Sequence, residues 1–267
     1  TNLEDLNILE SYINHNLPII NKYKNVIVAT NFSNYDEGLQ ENNAKLWHKY
    51  FPNAIILDLP INRGHNHGYC DLENLLVEYC INNNIEWLCK SPNDTLLTED
   101  IWDLSIPDDE VDCYYTLGFN RETIQRLYEF DTNKMEKDWF SIQGAFYFIN
   151  TSKITSWHDK EYLDSTYQHI QTIENYNGKI WEYIPEFECE LMIAGCINRN
   201  NLSKYYLFTG NLYNDLCDYI INNKIDDPSH KNMLIQGICH HHSPTKPSIK
   251  LQKNPNISPI IKGTFDI

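Results

Sequence analysis

The sequence is poor in basic residues. It contains 21 Lys and Arg residues against 37 Asp and Glu residues, which gives a formal net charge of -16. A field of this sign repels the phosphate backbone of nucleic acids and the anionic inner face of membranes. We therefore expect neither a nucleic-acid partner nor a polybasic membrane anchor.

Long apolar runs are also missing. No stretch approaches the roughly 20 apolar residues that a membrane-spanning helix requires, and the first residues lack the basic and apolar regions of a signal peptide. The eight cysteines are scattered, mostly inside apolar runs, and no two of them form a CxxC pair. This spacing favours reduced core residues over a disulfide framework. We expect a soluble, cytoplasmic protein without a membrane span.

Glycine is scarce, with only 10 residues in the chain. No GxGxxG sequence follows the first predicted strand, and no GxxxxGK[ST] sequence occurs anywhere. The dinucleotide-binding fold and the P-loop are therefore excluded. If the protein binds a nucleotide, it does so without a glycine-rich phosphate loop.

What the first half does contain is an alternation of helical and strand patterns. Strands are predicted by short β-rich apolar runs at residues 25–31, 54–60 and 85–90. Helices are predicted by apolar stripes at residues 3–15, 39–51 and 72–80, the last with Asp71 as the expected N-cap. Such alternation is typical of an α/β fold with a mixed, mostly parallel sheet flanked by helices.

The alternation becomes looser in the second half. Further strands are predicted at residues 113–117, 142–149 and 233–239, and helices at about residues 159–173, 188–198 and 212–222. Residues 243–267 form a proline-rich tail. We expect a single domain with two lobes, formed by residues 1–118 and 119–267.

Polar residues follow the predicted strands at the edge where ligands bind in open α/β sheets. They are Thr30, Asn31, Asp58, Asn62, Arg63, Gly64, Asn93 and Asp94. The amides and hydroxyls suit a base and a ribose. In an acidic protein without a phosphate loop, a divalent cation held by one or two carboxylates is the remaining way to bind a diphosphate.

These residues resemble the nucleotide-sugar half of the GT-A glycosyltransferases. In that family an Asn-x-Gly turn precedes a helix, as Asn62 to Gly64 do here, and the next strand leads into a DxD motif. Pro92, Asn93 and Asp94 occupy the motif position, with Pro92 in place of the first Asp. The resemblance implies that Asp94 binds Mn²⁺ or Mg²⁺ together with the diphosphate of a nucleotide sugar, helped by Asn93.

A second resemblance lies near the C-terminus. The sequence from His240 to Pro247 is similar to the HxxGxxKPW element of the glycogenin-like retaining glycosyltransferases, although Ser243 and Ser248 replace the Gly and the Trp. The resemblance implies that His240 is a further metal ligand and that Lys246 contacts the diphosphate. Imidazole is a suitable ligand for Mn²⁺.

A transferase that inverts the sugar needs a carboxylate that takes the proton of the acceptor hydroxyl. Glu186, Glu188 and Glu190 form a carboxylate cluster at a predicted helix start, which resembles the position of the base in GT-A enzymes, and Glu188 is the preferred candidate. Gln143 and Tyr147, on one face of a predicted strand, are candidates for contact with the acceptor sugar.

The resemblance to GT-A enzymes implies transfer of a sugar from a nucleotide diphosphate sugar to a glycan or another hydroxyl acceptor. It also implies that residues 1–118 are the nucleotide-sugar-binding lobe and that residues 119–267 are the acceptor-binding lobe, with a C-terminal tail that returns to the active site. The carboxylate cluster favours inversion and the His240 element favours retention, so both outcomes stay open. Two alternatives also stay open. One is a degenerate GT-A module that binds glycan or a protein partner without catalysis, and the other is a sugar nucleotidyltransferase.

Overall fold

The computed structural model describes residues 3–31, 37–91, 95–97, 111–117, 142–178, 180–184, 187, 189–209 and 238–240. Helices and strands are mixed along the chain. In this part of the chain no helix combines the length and the apolar character needed to cross a membrane.

The first half alternates between helices and strands, as the sequence predicts. The elements are α1 (Leu3–Ile20), β1 (Ile27–Thr30), α2 (Glu37–Tyr50), β2 (Ile55–Asp58), α3 (His65–Asn82) and β3 (Trp87–Lys90). One boundary was predicted wrongly, because α3 begins at His65 with Gly64 as its N-cap. Asp71 lies inside the helix, where its carboxylate binds Arg63 instead of capping the backbone.

The remaining described elements come from the second half and from the segment that precedes it. They are β4 (Thr95–Leu97), β5 (Cys113–Leu117), β6 (Ile142–Asn150), α4 (Lys160–Gln171), α5 (Cys189–Arg199), β7 (Lys204–Thr209) and β8 (Ile238–His240). The carboxylate of Asp159 caps α4 by accepting hydrogen bonds from the backbone N–H groups of Glu161 and Tyr162. The helix predicted at residues 212–222 and the tail from residue 243 lie outside the described residues.

Strand direction differs from the prediction in part. β1 and β2 are parallel, and so are β5 and β7. However, β6 lies between β3 and β5 and runs antiparallel to both, in the order β3-β6-β5-β7, and β4 and β8 form a separate antiparallel pair. The expectation of a mostly parallel sheet was therefore wrong. A buried apolar strand has the same sequence pattern in either direction, and the direction follows from the connections between strands.

The four-stranded sheet combines both halves of the chain. β3 and β5 precede residue 118, whereas β6 and β7 follow it. α3 and α5 pack with this sheet around one buried cluster that includes Val77, Leu88 and Ile193. A second cluster, with Ile13 and Phe51, joins α1, α2 and the start of β2. The division into two lobes with separate roles stays a prediction.

Five cysteines have described side chains: Cys70, Cys80, Cys89, Cys113 and Cys196. All five are free thiols, and all but Cys89 are buried. For the four buried cysteines the expectation of reduced residues inside the core is confirmed. Cys189, Cys217 and Cys239 have no described side chains.

Candidate functional site

The ends of β1 and β2 bring the first predicted site residues together. The strands are parallel and pair Thr30 with Asp58, so both chains leave the sheet at the same edge. Thr30 Oγ1 lies 3.0 Å from Asp58 Oδ1 and 2.9 Å from Gln40 Oε1. A single hydroxyl proton serves one of these acceptors at a time. Thr30 is buried, whereas Asp58 is exposed at the rim.

The segment from Asn62 to Gly64 forms a tight turn into α3. Asn62 Oδ1 accepts a hydrogen bond of 2.8 Å from the backbone N–H of Gly64, as in a local Asx turn. Gly64 has a φ of 89°, in the region that side chains other than glycine rarely adopt. The turn therefore explains why Asn and Gly occur here, whether or not a ligand binds.

A close approach at Gly68 joins this turn to the end of β1. A Cβ atom at Gly68 would lie 2.9 Å from Asn62 Oδ1 and 3.1 Å from Asn31 Nδ2. The two side-chain amides therefore meet over the first turn of α3, at a position where only glycine leaves them room. Sequence reasoning placed Asn31 and Asn62 at one edge of the sheet, and the structure brings them into the same small volume.

Arg63 has a structural role that the sequence did not indicate. Its Nε and Nη2 donate to the two oxygens of Asp71 at 2.7 and 2.6 Å, and Nη1 donates to Asp164 at 2.6 Å. The side chain is 16% exposed and lies over the ring of Tyr167. Hydrogen bonding to Asp71 raises the pKa of Arg63. The guanidinium thus links α3 to α4, and most of its N–H donors are hydrogen-bonded to carboxylates.

A groove of about 1190 Å³ lies beside this edge of β1. Its walls are the consecutive residues of β1 and β3, with α1 on one flank and α3 on the other. Apolar side chains such as Leu9, Ile13 and Leu76 line most of its length, while Thr30, Asn31, Lys90 and Ser91 line it where β1 and β3 end. The groove therefore has an apolar middle and polar residues at both ends, with Lys24, Asn25 and Glu86 lining it where β1 and β3 begin. We call the end at Thr30 and Lys90 the polar end.

A network of buried polar side chains lies under the groove. Glu73 on α3 is buried, and its Oε2 is 2.7 Å from Nε2 of the equally buried His158. Its Oε1 accepts a hydrogen bond of 2.9 Å from the Tyr147 hydroxyl and lies 3.4 Å from Lys90 Nζ. Lys90 also donates to the hydroxyl of Tyr69. We call these five residues the buried polar network.

The position of His158 is fixed from several sides. Its backbone N–H donates to Asn74 Oδ1 and its carbonyl accepts from Asn74 Nδ2, while Nδ1 lies 3.3 Å from Cys196 Sγ. Burial alone lowers the pKa of His158, but Cys70 and Cys196 act against it and the pKa ends well above its ordinary value. Burial raises the pKa of Glu73 in spite of His158 and Tyr147. One hydrogen bond of 2.7 Å joins the carboxyl group of Glu73 to the imidazole of His158 in the protein interior.

Sequence reasoning missed Glu73 and His158 and misread Tyr147. Tyr147 was a candidate for acceptor contact, but it is fully buried and binds Glu73. A signal for Glu73 did exist, because it lies one helical turn after Tyr69 and one turn before Leu76, on a face that is otherwise apolar. A carboxylate in such a stripe needs a buried partner. No sequence pattern indicates that His158, 85 residues away, is that partner.

The other predicted site residues have no described side chains. Asn93, Asp94, Glu186, Glu188 and Lys246 lie outside the described residues, and for Glu190 in α5 and His240 in β8 only the backbone is described. The pairing of β4 with β8 sets Thr95, the residue after Asp94 in the chain, directly opposite His240. Within the described part of the chain, no group of three or more His, Cys, Asp or Glu side chains is placed to hold a metal ion.

Comparison of the chain with protein-family models, with curated proteins and with solved structures finds no match. The likeness to GT-A glycosyltransferases therefore rests on the residues of this chain.

Proposed function

We propose that this chain is a glycosyltransferase that transfers a sugar from a nucleotide diphosphate sugar to a hydroxyl acceptor. The observation that carries the proposal is the meeting of the Asn31 and Asn62 amides over Gly68. This meeting lies at the carboxyl ends of two parallel strands, the edge at which open α/β sheets bind their ligands. The adjoining groove supplies a volume of the size that ligand sites have.

The chemistry of this edge suits the nucleoside half of such a donor. Side-chain amides donate and accept hydrogen bonds, as the edge of a base requires, and Asp58 at the rim offers acceptors to ribose hydroxyls. The absence of a glycine-rich phosphate loop is compatible with a sugar nucleotide whose diphosphate binds elsewhere at the same edge. The apolar body of the groove can exclude water from one face of the ligand.

The proposed reaction needs a base and a stabiliser of the leaving group. The acceptor hydroxyl oxygen attacks the anomeric carbon, the bond from that carbon to the diphosphate oxygen breaks, and the hydroxyl proton passes to a carboxylate, for which Glu188 is the candidate. A divalent cation held by Asp94 and His240 would neutralise the departing diphosphate. The opposed positions of Thr95 and His240 in the β4-β8 pair support a shared role for these ligands.

Calorimetric titration with nucleoside diphosphates, with and without Mn²⁺, tests the proposal. We expect at least one nucleotide to bind, and we expect Asn31→Ala to weaken its affinity by about tenfold, the effect of one lost hydrogen bond to a ligand. Asn62→Asp keeps an oxygen that can close the turn, but it replaces the amide donor with an acceptor and adds one negative charge, so a folded variant with weaker affinity shows that the site requires the neutral amide. Asn53→Ala, at an exposed position between α2 and β2, is the matched control.

Turnover is tested separately. We expect release of the nucleoside diphosphate from the donor that binds best, dependent on Mn²⁺ and abolished by Asp94→Ala. NMR assignment of the product anomer then identifies inversion, in which Glu188 is required, or retention. A wild-type chain that binds none of the nucleotides would refute the proposal, and unchanged turnover in Asp94→Ala would refute the metal assignment.

A glycan-binding module without catalysis is the second candidate, and one observation favours it. Arg63, the basic side chain nearest the Asn62 turn, is committed to Asp71 and Asp164. An enzyme that stabilises a leaving diphosphate places its cations where the charge develops. Nucleotide or glycan binding without release of diphosphate from any donor would favour this candidate over the transferase.

A further inference from the structure

Asn43 occupies an unusual position for an amide side chain. It lies in the middle of α2 and is only 1% exposed. Its nitrogen Nδ2 is buried and has no hydrogen-bond partner within the described part of the chain. A buried donor without an acceptor has lost its hydrogen bonds to water and gained none in return, and asparagine is a poor helix former in a helix interior. On its own, the Asn43 amide therefore lowers the stability of the folded chain.

This amide lies where the groove is apolar. α2 runs back along β1, because Gln40 contacts Thr30 at the polar end, whereas Trp47 packs with the apolar cluster around Phe51. Asn43 lies between them, about one helical turn from each, and both Asn43 and Trp47 line the groove. Residues four apart lie on one face of a helix. This wall of the groove therefore presents a hydrogen-bond donor beside an aromatic ring.

A donor beside an aromatic ring suits a flat heterocycle. Ligand pockets are mostly apolar, and a few polar groups in them fix the orientation of the ligand. A nucleobase has two faces that pack against apolar and aromatic side chains, and its edge carries hydrogen-bond acceptors. An alkyl chain has no acceptor for the amide, and an internal water requires about three polar partners. The acceptor that Asn43 lacks is therefore one that a base supplies.

We propose that Asn43 donates its amide N–H to an acceptor atom on the edge of a nucleobase that lies in the groove along α2. The inference rests on the proposed function for the presence of a nucleotide, and it adds which part of the nucleotide enters the groove. The nucleoside enters from the polar end at Asn31, and its base extends about one helical turn, roughly 5 Å, along the groove to Asn43. Asn43 favours the bound state because its donor is satisfied only there.

The experiment combines thermal unfolding of the full chain with calorimetric titration with UDP, CDP, ADP and GDP. Asn43→Leu keeps the branched shape and the number of side-chain heavy atoms but removes the donor. We expect its affinity for the nucleotide that binds the wild type best to fall by about tenfold, the effect of one lost hydrogen bond, and its melting temperature without ligand to rise. Asn42→Leu makes the same substitution at the exposed neighbouring position, so it controls for the helix propensity of leucine. It should leave the affinity unchanged and raise the melting temperature less.

A second variant separates the lost donor from a change of shape. Asn43→Ala removes the amide without filling any part of the groove, and it should weaken binding by a similar factor.

Two results would overturn the inference while the proposed function stands. One is nucleotide binding that depends on Asn31 but is unchanged in Asn43→Leu and Asn43→Ala. The other is a melting temperature of Asn43→Leu no higher than that of Asn42→Leu, because the donor then has a partner, such as an internal water, in the free protein. A wild-type chain that binds none of the four nucleotides would refute the proposed function and the base contact together.

Discussion

The polar end of the groove and the buried polar network both adjoin α3, at Gly68 and at Glu73, but hold their residues in different ways. At the polar end, Asn31 and Asn62 are positioned by turns and by a glycine that leaves them room. In the network, Glu73 is positioned by the side chains of His158, Tyr147 and Lys90, which come from three other places in the chain. The turn at Asn62 is local in sequence, although Asn31 reaches it from the end of β1, whereas the network exists only after the chain has folded.

This difference predicts where substitutions act. Substitution of a residue held by a local turn can change ligand contacts with little loss in the free energy of unfolding. Residues of the network cannot be removed singly, because each removal leaves a buried polar or charged group without its partner. Four substitutions, at Glu73, His67, Gly64 and Gly68, test this contrast.

The largest effect is expected for Glu73→Ala. Removal of the carboxylate leaves Lys90 and His158 without their shared partner in the interior, and we expect the free energy of unfolding to fall by about 3–5 kcal/mol. Glu78→Ala on the same helix removes only an exposed ion pair with Lys160 and should cost less than about 1 kcal/mol. Urea denaturation monitored by circular dichroism measures both, and equal losses would show that the network is not a stability determinant.

A smaller effect is expected from the titration of His67, which lies in the first turn of α3. Burial is the main cause that lowers the pKa of His67 to about 4, and Nε2 lies 3.0 Å from Thr166 Oγ1. Since the unfolded chain takes up this proton near pH 6.5 and the folded chain only near pH 4, stability is lost as the pH falls between these values.

From pH 7.5 to pH 5 the loss due to His67 should be about 2 kcal/mol. In His67→Gln this part of the pH dependence should disappear, whereas His48→Gln, at an exposed position on α2, should retain it. Denaturation curves at the two pH values provide the measurement. The same pH dependence in His67→Gln as in the wild type would contradict the assignment.

The smallest effects on stability are expected for alanine substitutions of two glycines, Gly64 and Gly68. Gly64→Ala places a side chain at positive φ, and we expect a loss of about 1–2 kcal/mol. Gly68→Ala lies inside α3, where alanine is the better helix former by about 1 kcal/mol, so its net effect on stability should be close to zero. However, its Cβ displaces the Asn31 and Asn62 amides, and nucleotide affinity should fall. Thermal unfolding and calorimetric titration together distinguish the two outcomes.

The sequence predicted most elements because their apolar patterns are strong. The alternation of β1, α2, β2, α3 and β3, and the two helices α4 and α5, follow from periodicity and short polar connections. The position of Asn62 and Gly64 in a turn before α3 was equally readable, because Asn and Gly favour that backbone. The start of α3 could not be predicted from the sequence, since the polar residues His65, Asn66 and His67 give no apolar stripe.

The rest could not be predicted because it depends on which distant residues meet. Arg63 was a reasonable phosphate ligand until Asp164, from α4, was found to bind it. Tyr147 was a reasonable surface aromatic until Glu73 was found beneath it. In each case the sequence supplied the chemistry of the side chain but not its partner. The direction of the strands could not be predicted either. β6 runs antiparallel to β3 and β5, and its apolar pattern does not indicate this direction.

The position of β6 between β3 and β5 has a consequence for when the four-stranded sheet can form during synthesis. β3 ends at Lys90 and β5 at Leu117, but the strand that pairs with both is not synthesised until Asn150. Until then, the nascent chain carries two apolar strands whose shared neighbour does not yet exist. Such long-range pairing slows folding and leaves edges exposed to other chains. The four-stranded sheet therefore cannot close until β6 has been synthesised, the strand that also brings Tyr147 to Glu73.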